Sequence, residues 1–209
     1  MKLTRKDIQA LDSVTRLKII NAVTGIKPAN LIGTMSEDGL TNVAIFSSVV
    51  HLGSNPPLLG FVMRPQGEVP RNTYQNIIET GVYTINHIHP EFVERAHYTS
   101  AKFDADLSEF NRCKLTKEFI PSFHAPFVEE STFKIGLKFQ QEVKIERNGT
   151  SLIIGEIEHL FIPDEAINEE YEIDLEKSNT VGISGLNSYY SLQKIADYPY
   201  ARVNETPGF

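Results

Sequence analysis

The 209-residue sequence has one cysteine, Cys113, so it contains neither an intrachain disulfide nor a cysteine-based zinc cluster. Its apolar runs are all much shorter than the roughly 20 residues that a membrane-spanning helix requires. It also lacks an excess of basic residues, because 20 lysines and arginines against 27 aspartates and glutamates give a net charge of −7. That balance argues against a broad nucleic-acid interface, which requires a basic surface.

The amino-terminal segment has no apolar core of the kind that signal peptides carry, so we expect a cytoplasmic protein without a membrane anchor. Apolar spacing predicts a helix over residues 4–23, with Thr4 as its N-cap and Asp7 completing a capping box. An apolar content of 41% and the absence of repeats or low-complexity linkers predict one globular domain over residues 1–209.

Strand-like runs outnumber helices in the rest of the chain, and neighbouring runs are joined by turn signals. Two further helices are predicted over residues 71–79, closed by Gly81, and 90–98, whereas the long polar segment 99–125 is expected to be irregular. Gly136 and Gly155 lie inside strand-like runs and predict bulges or sharp bends of a barrel. The pattern favours a mainly β, antiparallel barrel with helices around it. The predicted strands cover residues 30–36, 41–50, 58–63, 82–88, 132–146 and 151–162.

The segment 70–77 (PRNTYQNI) gathers hydrogen-bond donors at a predicted helix start. If the helix begins near Arg71 or Asn72, its free backbone N–H groups carry partial positive charge. The Thr73 hydroxyl and the Arg71 guanidinium would add two donors, which suits a phosphate. Asn72 or Thr73 could instead simply cap the helix, and this segment alone leaves both interpretations open.

In the segment 42–50 (NVAIFSSVV), the polar residues Asn42, Ser47 and Ser48 lie beside apolar ones. Small side chains here would let a planar ligand approach the backbone, although a half-exposed strand with one wet face has the same pattern. His87 and His89 would share a strand face, but no carboxylate or cysteine completes a ligand set, so we expect no metal site. Cys113 is either reactive or incidental.

Four stretches taken together resemble the flavin reductase-like proteins: residues 27–64, 71–86, 99–110 and 125–131. The resemblance extends over about residues 20–190. The family motif Asn-x-Ala-x-x-Ser matches Asn42, Ala44 and Ser47, and Lys-Asp-Thr-x-x-Asn-Ile is similar to the run from Arg71 to Ile77. Two positions depart from the family pattern, since residues 27–29 read Lys-Pro-Ala rather than Pro-Arg-Pro and Asn72 replaces an aspartate.

This resemblance implies a split β-barrel of the FMN-binding type, with FMN as cofactor and a homodimer that binds the flavin near the subunit interface. The phosphate would lie near Arg71, Thr73 and the strand serines, and the isoalloxazine ring along the backbone of 31–34 and 45–51. His51, Arg64 and Tyr83 are candidates for lining the pocket. The cofactor-binding residues expected from the resemblance are Thr34, Asn42, Ser47, Ser48, Val49, Arg64, Arg71, Thr73 and Asn76.

The function that this implies is an NAD(P)H-dependent flavin reductase, which passes a hydride through N5 of FMN to a small-molecule or protein electron acceptor. Hydride transfer does not strictly require an acid–base residue, so the sequence points to no catalytic side chain. A flavin-binding electron carrier without NAD(P)H turnover of its own is the second hypothesis. A barrel whose flavin site has decayed is the third, because of the departures at 27–29 and Asn72.

Overall fold

The structure is a computed structural model and describes residues 1–65, 67, 71–101, 103 and 107–208. Its helices are α1 Arg5–Ala10, α2 Ser13–Ala22, α3 Asn72–Thr80, α4 Val93–Tyr98 and α5 Glu109–Arg112. Its strands are β1 Lys27–Pro28, β2 Asn30–Met35, β3 Thr41–Phe46, β4 Val50–Ser54, β5 Pro57–Met63, β6 Val82–His87, β7 Lys117–Glu118, β8 Phe127–Val128, β9 Lys134–Ile145, β10 Thr150–Phe161, β11 Val181–Ser184 and β12 Ser188–Ser191.

Seven strands form one antiparallel sheet in the order β3-β2-β6-β9-β10-β5-β4. Its two edge strands, β3 and β4, follow each other in the chain and are separated by residues 47–49 alone. Because a linker this short reaches at most ~14 Å from Phe46 to Val50, the sheet must curl until its edges meet. The predicted mainly β, antiparallel split barrel is therefore confirmed, with the split between the edge strands β3 and β4.

Apolar side chains pack on both faces of this sheet. Phe61, Tyr83 and Ile85 belong to the cluster inside the barrel, where Phe61 contacts both Phe46 and Tyr83 edge-on. Leu31 and Val43 face the other way and pack beneath α4, α5 and β11. The alternation along β2 and β6 thus buries both sheet faces, which is why these strands read as nearly continuous apolar runs.

Several predicted details are confirmed. Thr4 and Asp7 form the capping box of α1, and Gly81 ends α3 in the left-handed conformation that favours glycine. The β9–β10 hairpin has register shifts beside Gly155 and opposite Gly136. The predicted hairpin between β2 and β3 also forms, with Thr34 opposite Asn42.

Other predictions were wrong in detail. The helix expected over 4–23 is broken, because Asp12 caps α2 through its side chain and Leu11 before it is extended. The strand expected over 41–50 stops at Phe46, where the chain leaves one sheet edge for the other. The segment 99–125 contains α5 and β7, while residues 102 and 104–106 lie outside the described residues.

Candidate functional site

Four of the predicted cofactor-binding residues meet where α3 packs on β2 and β3. Thr34, Asn42, Thr73 and Asn76 are each 6% exposed or less. The Asn76 amide donates to the Thr34 hydroxyl at 3.0 Å, and the Asn42 amide lies 2.9 Å from the Thr73 hydroxyl. Two neighbouring strands and one helix therefore share a single buried polar network, which fixes the first turn of α3 against the sheet.

The first turn of α3 has the arrangement that favours an anion. Its N-cap residue is Arg71, whose side chain makes no capping hydrogen bond, so neither Asn72 nor Thr73 acts as the cap that the sequence allowed. The guanidinium Nε of Arg71 instead donates to the carbonyl oxygen of Pro65 at 3.3 Å. This places a cation at the positive end of the helix dipole, where an anionic group is stabilised.

A second cation, Arg64, follows directly after β5 and is exposed. Within the described part of the chain no carboxylate pairs with it. Two solvent-open pockets of about 740 and about 400 Å³ border the start of α3, and Tyr74 lines both. The helix start can therefore be reached from solvent on both sides.

The strand serines have different surroundings. The Ser48 hydroxyl accepts from the backbone N–H of Val62 at 3.1 Å and donates to the carbonyl of the same residue at 3.3 Å. Ser47 and Val49 are half-buried in the turn between β3 and β4, beside the split of the barrel. The Ser48 side chain thus holds the β3–β4 turn against β5, and Ser47 and Val49 flank it in the chain.

The candidates for lining the pocket also differ from one another. His51 lies exposed on β4. Tyr83 is fully buried inside the barrel, so the expectation that it lines a pocket was wrong. Its hydroxyl has no hydrogen-bond partner among the described residues, and burial raises its pKa. Alternation along β6 placed Tyr83 on the inner sheet face, and Gly155 on β10 leaves space for its ring.

Glu109 is a polar neighbour of the site that the sequence analysis did not identify. It is the first residue of α5 and half-buried, and its Oε2 accepts from the backbone N–H of Val43 at 3.4 Å. Burial raises the pKa of its carboxyl group. The preceding residue, Ser108, bonds through its hydroxyl to that of Thr41 at 2.8 Å. The only available signal was that Glu109 belongs to the family-like stretch 99–110, since nothing local relates it to β3.

The remaining titratable candidates take structural positions. His87 stacks on Phe133 and its Nδ1 lies 3.1 Å from the Thr180 hydroxyl; burial, followed by the charge of His89, lowers its pKa to about 4. Cys113 is buried, and burial followed by the negative charge of Glu109 raises the pKa of its thiol. No group of three metal-ligating side chains occurs among residues that the structure describes. The described helices also include none with the length and hydropathy to cross a membrane.

The donors at this site fit the phosphate of a flavin mononucleotide. Arg64 and Arg71 supply positive charge, the start of α3 supplies backbone N–H groups, and Thr73 supplies a hydroxyl. The turn 47–49 is half-buried and contains two serines, so a ring system could approach its backbone. An antiparallel split barrel with an anion-favouring helix start is consistent with the fold and site that the resemblance implied.

Comparison with known proteins agrees with this resemblance. The sequence model of the flavin reductase like domain matches residues 26–175. A crystal structure described as a flavin reductase with a split barrel domain, from Shewanella frigidimarina, is 46% identical, with a TM-score of 0.92 over 96% of this chain and 100% of that one. The chain therefore belongs to the flavin reductase like family and is a flavin-related oxidoreductase.

Two more distant structures share the fold. Nitrilotriacetate monooxygenase component B from Bacillus cereus is 16% identical, with a TM-score of 0.83 over 95% of this chain and 98% of that one. Flavoredoxin of Desulfovibrio vulgaris is 21% identical, with a TM-score of 0.75 over 96% of this chain and 98% of that one. One fold thus serves a monooxygenase component and a flavoredoxin, so the fold alone does not assign the electron donor or acceptor.

Proposed function

We propose that the protein binds FMN and acts as an NAD(P)H-dependent flavin reductase, which passes electrons to a small-molecule or protein acceptor. The observation that carries this proposal is the cationic start of α3, fixed to β2 and β3 through the Thr34–Asn42–Thr73–Asn76 network. In a flavin reductase like protein, an anion-binding site at a helix start favours a flavin that carries a phosphate.

Arg71 and the first N–H groups of α3 would hold the phosphate, with Thr73 adding one directed hydrogen bond. Arg64, one residue beyond β5, would add a longer-range attraction. Asn42 and Asn76 are positioning residues, since their amides hold Thr73 and Thr34 in place and keep α3 in register with the sheet. This seat distinguishes FMN from riboflavin, because only FMN carries the phosphate.

The isoalloxazine ring would lie along the backbone of 31–34 and 45–51, with Ser47, Ser48 and Val49 at the junction of β3 and β5. Bound flavin supplies the redox chemistry, since its N5 accepts and releases a hydride. The protein's contribution is to position the ring, to direct backbone N–H groups toward developing negative charge, and to exclude water. No side-chain acid or base is needed for the transfer itself.

We also propose that the active protein is a homodimer. Helix α2 buries none of its residues within one chain, and Val14, Leu17 and Ile20 are 59%, 47% and 46% exposed. Val50 and Leu52 on the edge strand β4, next to the barrel split, are exposed as well. Apolar surface of this extent usually belongs to an interface.

The visible absorption spectrum tests the proposal. Purified protein is mixed with FMN, desalted, and then treated anaerobically with NADH or NADPH. A retained flavin spectrum that bleaches with a nucleotide supports the reductase and identifies its donor. Retained flavin that does not bleach indicates a carrier reduced by another protein. If no flavin is retained, consumption of NAD(P)H with free FMN would show that FMN is a passing substrate, and no consumption would reject the proposal.

The double variant Arg71→Ala/Thr73→Ala tests the phosphate seat itself. It removes one charge and one hydroxyl from the start of α3, so FMN should bind at least ~10-fold more weakly. Riboflavin, which has no phosphate, serves as the control ligand and should be affected little. Unchanged FMN affinity in this variant would mean that the phosphate lies elsewhere.

A further inference from the structure

The carboxylate of Glu109, on α5, contacts the Thr34–Asn42–Thr73–Asn76 network at Asn42. Its Oε2 reaches the backbone N–H of Val43 at 3.4 Å and the end of the Asn42 amide at 3.1 Å. No cation pairs with Glu109 within the described residues. Arg112 and Cys113 are the titratable neighbours on its own helix, and β3, against which α5 packs, carries no charged residue.

The Asn42 amide can be oriented in two ways, and the protonation state of Glu109 determines which of them is favoured. With its nitrogen toward Glu109, the amide donates to Oε2 at 3.1 Å, while its oxygen accepts from the Thr73 hydroxyl at 2.9 Å. With its oxygen toward Glu109, the amide nitrogen donates to the Thr73 hydroxyl at 2.9 Å and to the Thr34 hydroxyl at 3.4 Å. The second arrangement needs a proton on Glu109, because two acceptor oxygens would otherwise face each other.

The orientation of Asn42 determines what the Thr73 hydroxyl can do. A hydroxyl has one proton to donate. In the first orientation Thr73 gives that proton to Asn42 and has only acceptor capacity left. In the second orientation Thr73 accepts from Asn42, so its proton is available for an anion at the start of α3. A charge on Glu109 therefore changes the donor direction of a hydroxyl two side chains away.

We propose that Glu109 is a positioning residue that controls phosphate binding: while ionised, it holds Asn42 so that Thr73 cannot donate to the phosphate. This inference rests on the proposed function, in which Thr73 contacts the phosphate of FMN. Protonation of Glu109, or its replacement by a neutral amide, releases Asn42 and restores the Thr73 donor. Removal of this half-buried carboxylate is therefore expected to strengthen the binding of a phosphorylated ligand.

The first test compares the affinities of FMN and riboflavin for the wild-type protein and Glu109→Gln at pH 8. Glutamine does not require the Asn42 nitrogen to face it and can donate to the Asn42 oxygen instead, so the variant should bind FMN about 3- to 10-fold more tightly and riboflavin equally well. Glu94→Gln is the matched control, since it removes the same charge from an exposed position on α4. If Glu109→Gln leaves FMN affinity unchanged, or weakens both ligands alike, the inference is wrong.

Thr73→Val separates this inference from the assignment of the phosphate seat. In the Glu109→Gln background, where Thr73 can donate, it should weaken FMN and spare riboflavin. In the wild type at pH 8, where ionised Glu109 withholds that donor, it should have little effect, and in the Thr73→Val background Glu109→Gln should lose its effect, since the two residues act through one hydroxyl. If Thr73→Val does not weaken FMN in the Glu109→Gln background, the phosphate assignment is wrong. If it does, but Glu109→Gln does not strengthen binding, the seat stands and only the role of Glu109 is rejected.

A pH series provides a second readout. It depends on how the ratio of the two FMN affinities changes with pH rather than on its value at a single pH. The second ionisation of the phosphate, near pH ~6, affects wild type and variant alike and cancels in their ratio. The ratio of FMN affinities, Glu109→Gln over wild type, should approach one as the pH falls and Glu109 takes up a proton. A ratio that stays constant between pH 5 and 8 would overturn the proposal. Should Glu109→Gln not fold, the ratio of FMN affinities of the wild type over Thr73→Val replaces it, because the phosphate ionisation cancels there as well, and this ratio must decrease as Glu109 ionises.

Discussion

The hydroxyl of Ser48 bonds to both backbone groups of Val62, accepting from its N–H at 3.1 Å and donating to its carbonyl at 3.3 Å. Ser48 lies in the turn between β3 and β4, so its side chain fastens this turn to β5 beyond the last paired residue of β4, Val50. The rings of Phe46 and Phe61 pack edge-on beside it, with centroids 5.0 Å apart. One hydroxyl and one aromatic pair therefore fasten the β3–β4 turn and the end of β3 to β5.

Replacement of Ser48 by alanine should destabilise the flavin-free protein by about 1–3 kcal/mol, because both polar groups of Val62 lose their partner in a half-buried place. Chemical denaturation monitored by circular dichroism measures this. Ser47→Ala is the matched control: Ser47 is also half-buried but has no hydrogen bond among the described residues, and its replacement should change the free energy of unfolding by less than ~0.5 kcal/mol. Equal effects of the two variants would contradict the role given to Ser48.

Gly155 and Tyr83 form a size-matched pair inside the barrel. A Cβ at position 155 would lie 2.3 Å from the Tyr83 hydroxyl oxygen, so Gly155→Ala should cost about 1–3 kcal/mol through overpacking. Tyr83→Phe removes a buried hydroxyl that has no partner in the described structure, so it should be neutral or stabilising. The double variant should recover part of the loss, since the closest contact is then gone. Thermal unfolding of the four proteins gives the comparison, and strictly additive effects would argue against the contact.

Local signals predicted a large part of the fold. The capping box at Thr4, the left-handed Gly81 and the β9–β10 hairpin each depend on residues within a few positions of one another. Alternation also identified the strands, because both faces of the sheet are buried. The split of the barrel was predicted from the family resemblance and not from the hydrophobic periodicity. Periodicity cannot show that β3 and β4, which are consecutive in sequence, lie at opposite edges of the sheet.

The candidate site was harder to predict because its contacts are distant along the chain. Thr34 and Asn76 are 42 positions apart, and Glu109 and Val43 are 66 apart. No local sequence pattern predicts that such distant residues are in contact. The family motifs indicated Asn42, Thr73 and Asn76 as single positions, but not the hydrogen bonds between them. Tyr83 is the exception, because the alternation of residues along β6 already places its side chain on the inner sheet face, where it cannot line an open pocket.

His87 should make stability depend on pH. Its pKa is lowered to about 4 by burial, against 6.5 for the free side chain. Between these values the unfolded chain binds a proton that the folded protein does not, so stability is full above pH 6.5 and is lost as the pH falls. The slope approaches about 1.4 kcal/mol per pH unit, and the total loss approaches ~3 kcal/mol near pH 4.

The check on His87 is the free energy of unfolding of the wild type and His87→Gln measured between pH 5 and 7, a window above most carboxylate titrations. The variant has no imidazole at this position, so its slope should be smaller by up to ~1.4 kcal/mol per pH unit in the lower half of the window. His51→Gln is the control, because His51 is exposed on β4. Identical slopes for the wild type and His87→Gln would show that His87 titrates normally in the folded protein.

The exposed apolar residues of α2 allow a test of the homodimer that does not involve flavin. Leu17 and Ile20 are 47% and 46% exposed in the single chain, and a carboxylate buried at either position in an interface would be costly. Leu17→Glu/Ile20→Glu should therefore convert a dimeric wild type to a monomer of unchanged circular dichroism, as measured by light scattering after size exclusion. Lys18→Glu places a carboxylate on the same helix at an already polar position and should leave the mass unchanged. A double variant with the same mass as the wild-type dimer would show that α2 lies outside the interface, and a monomeric wild type would reject the homodimer.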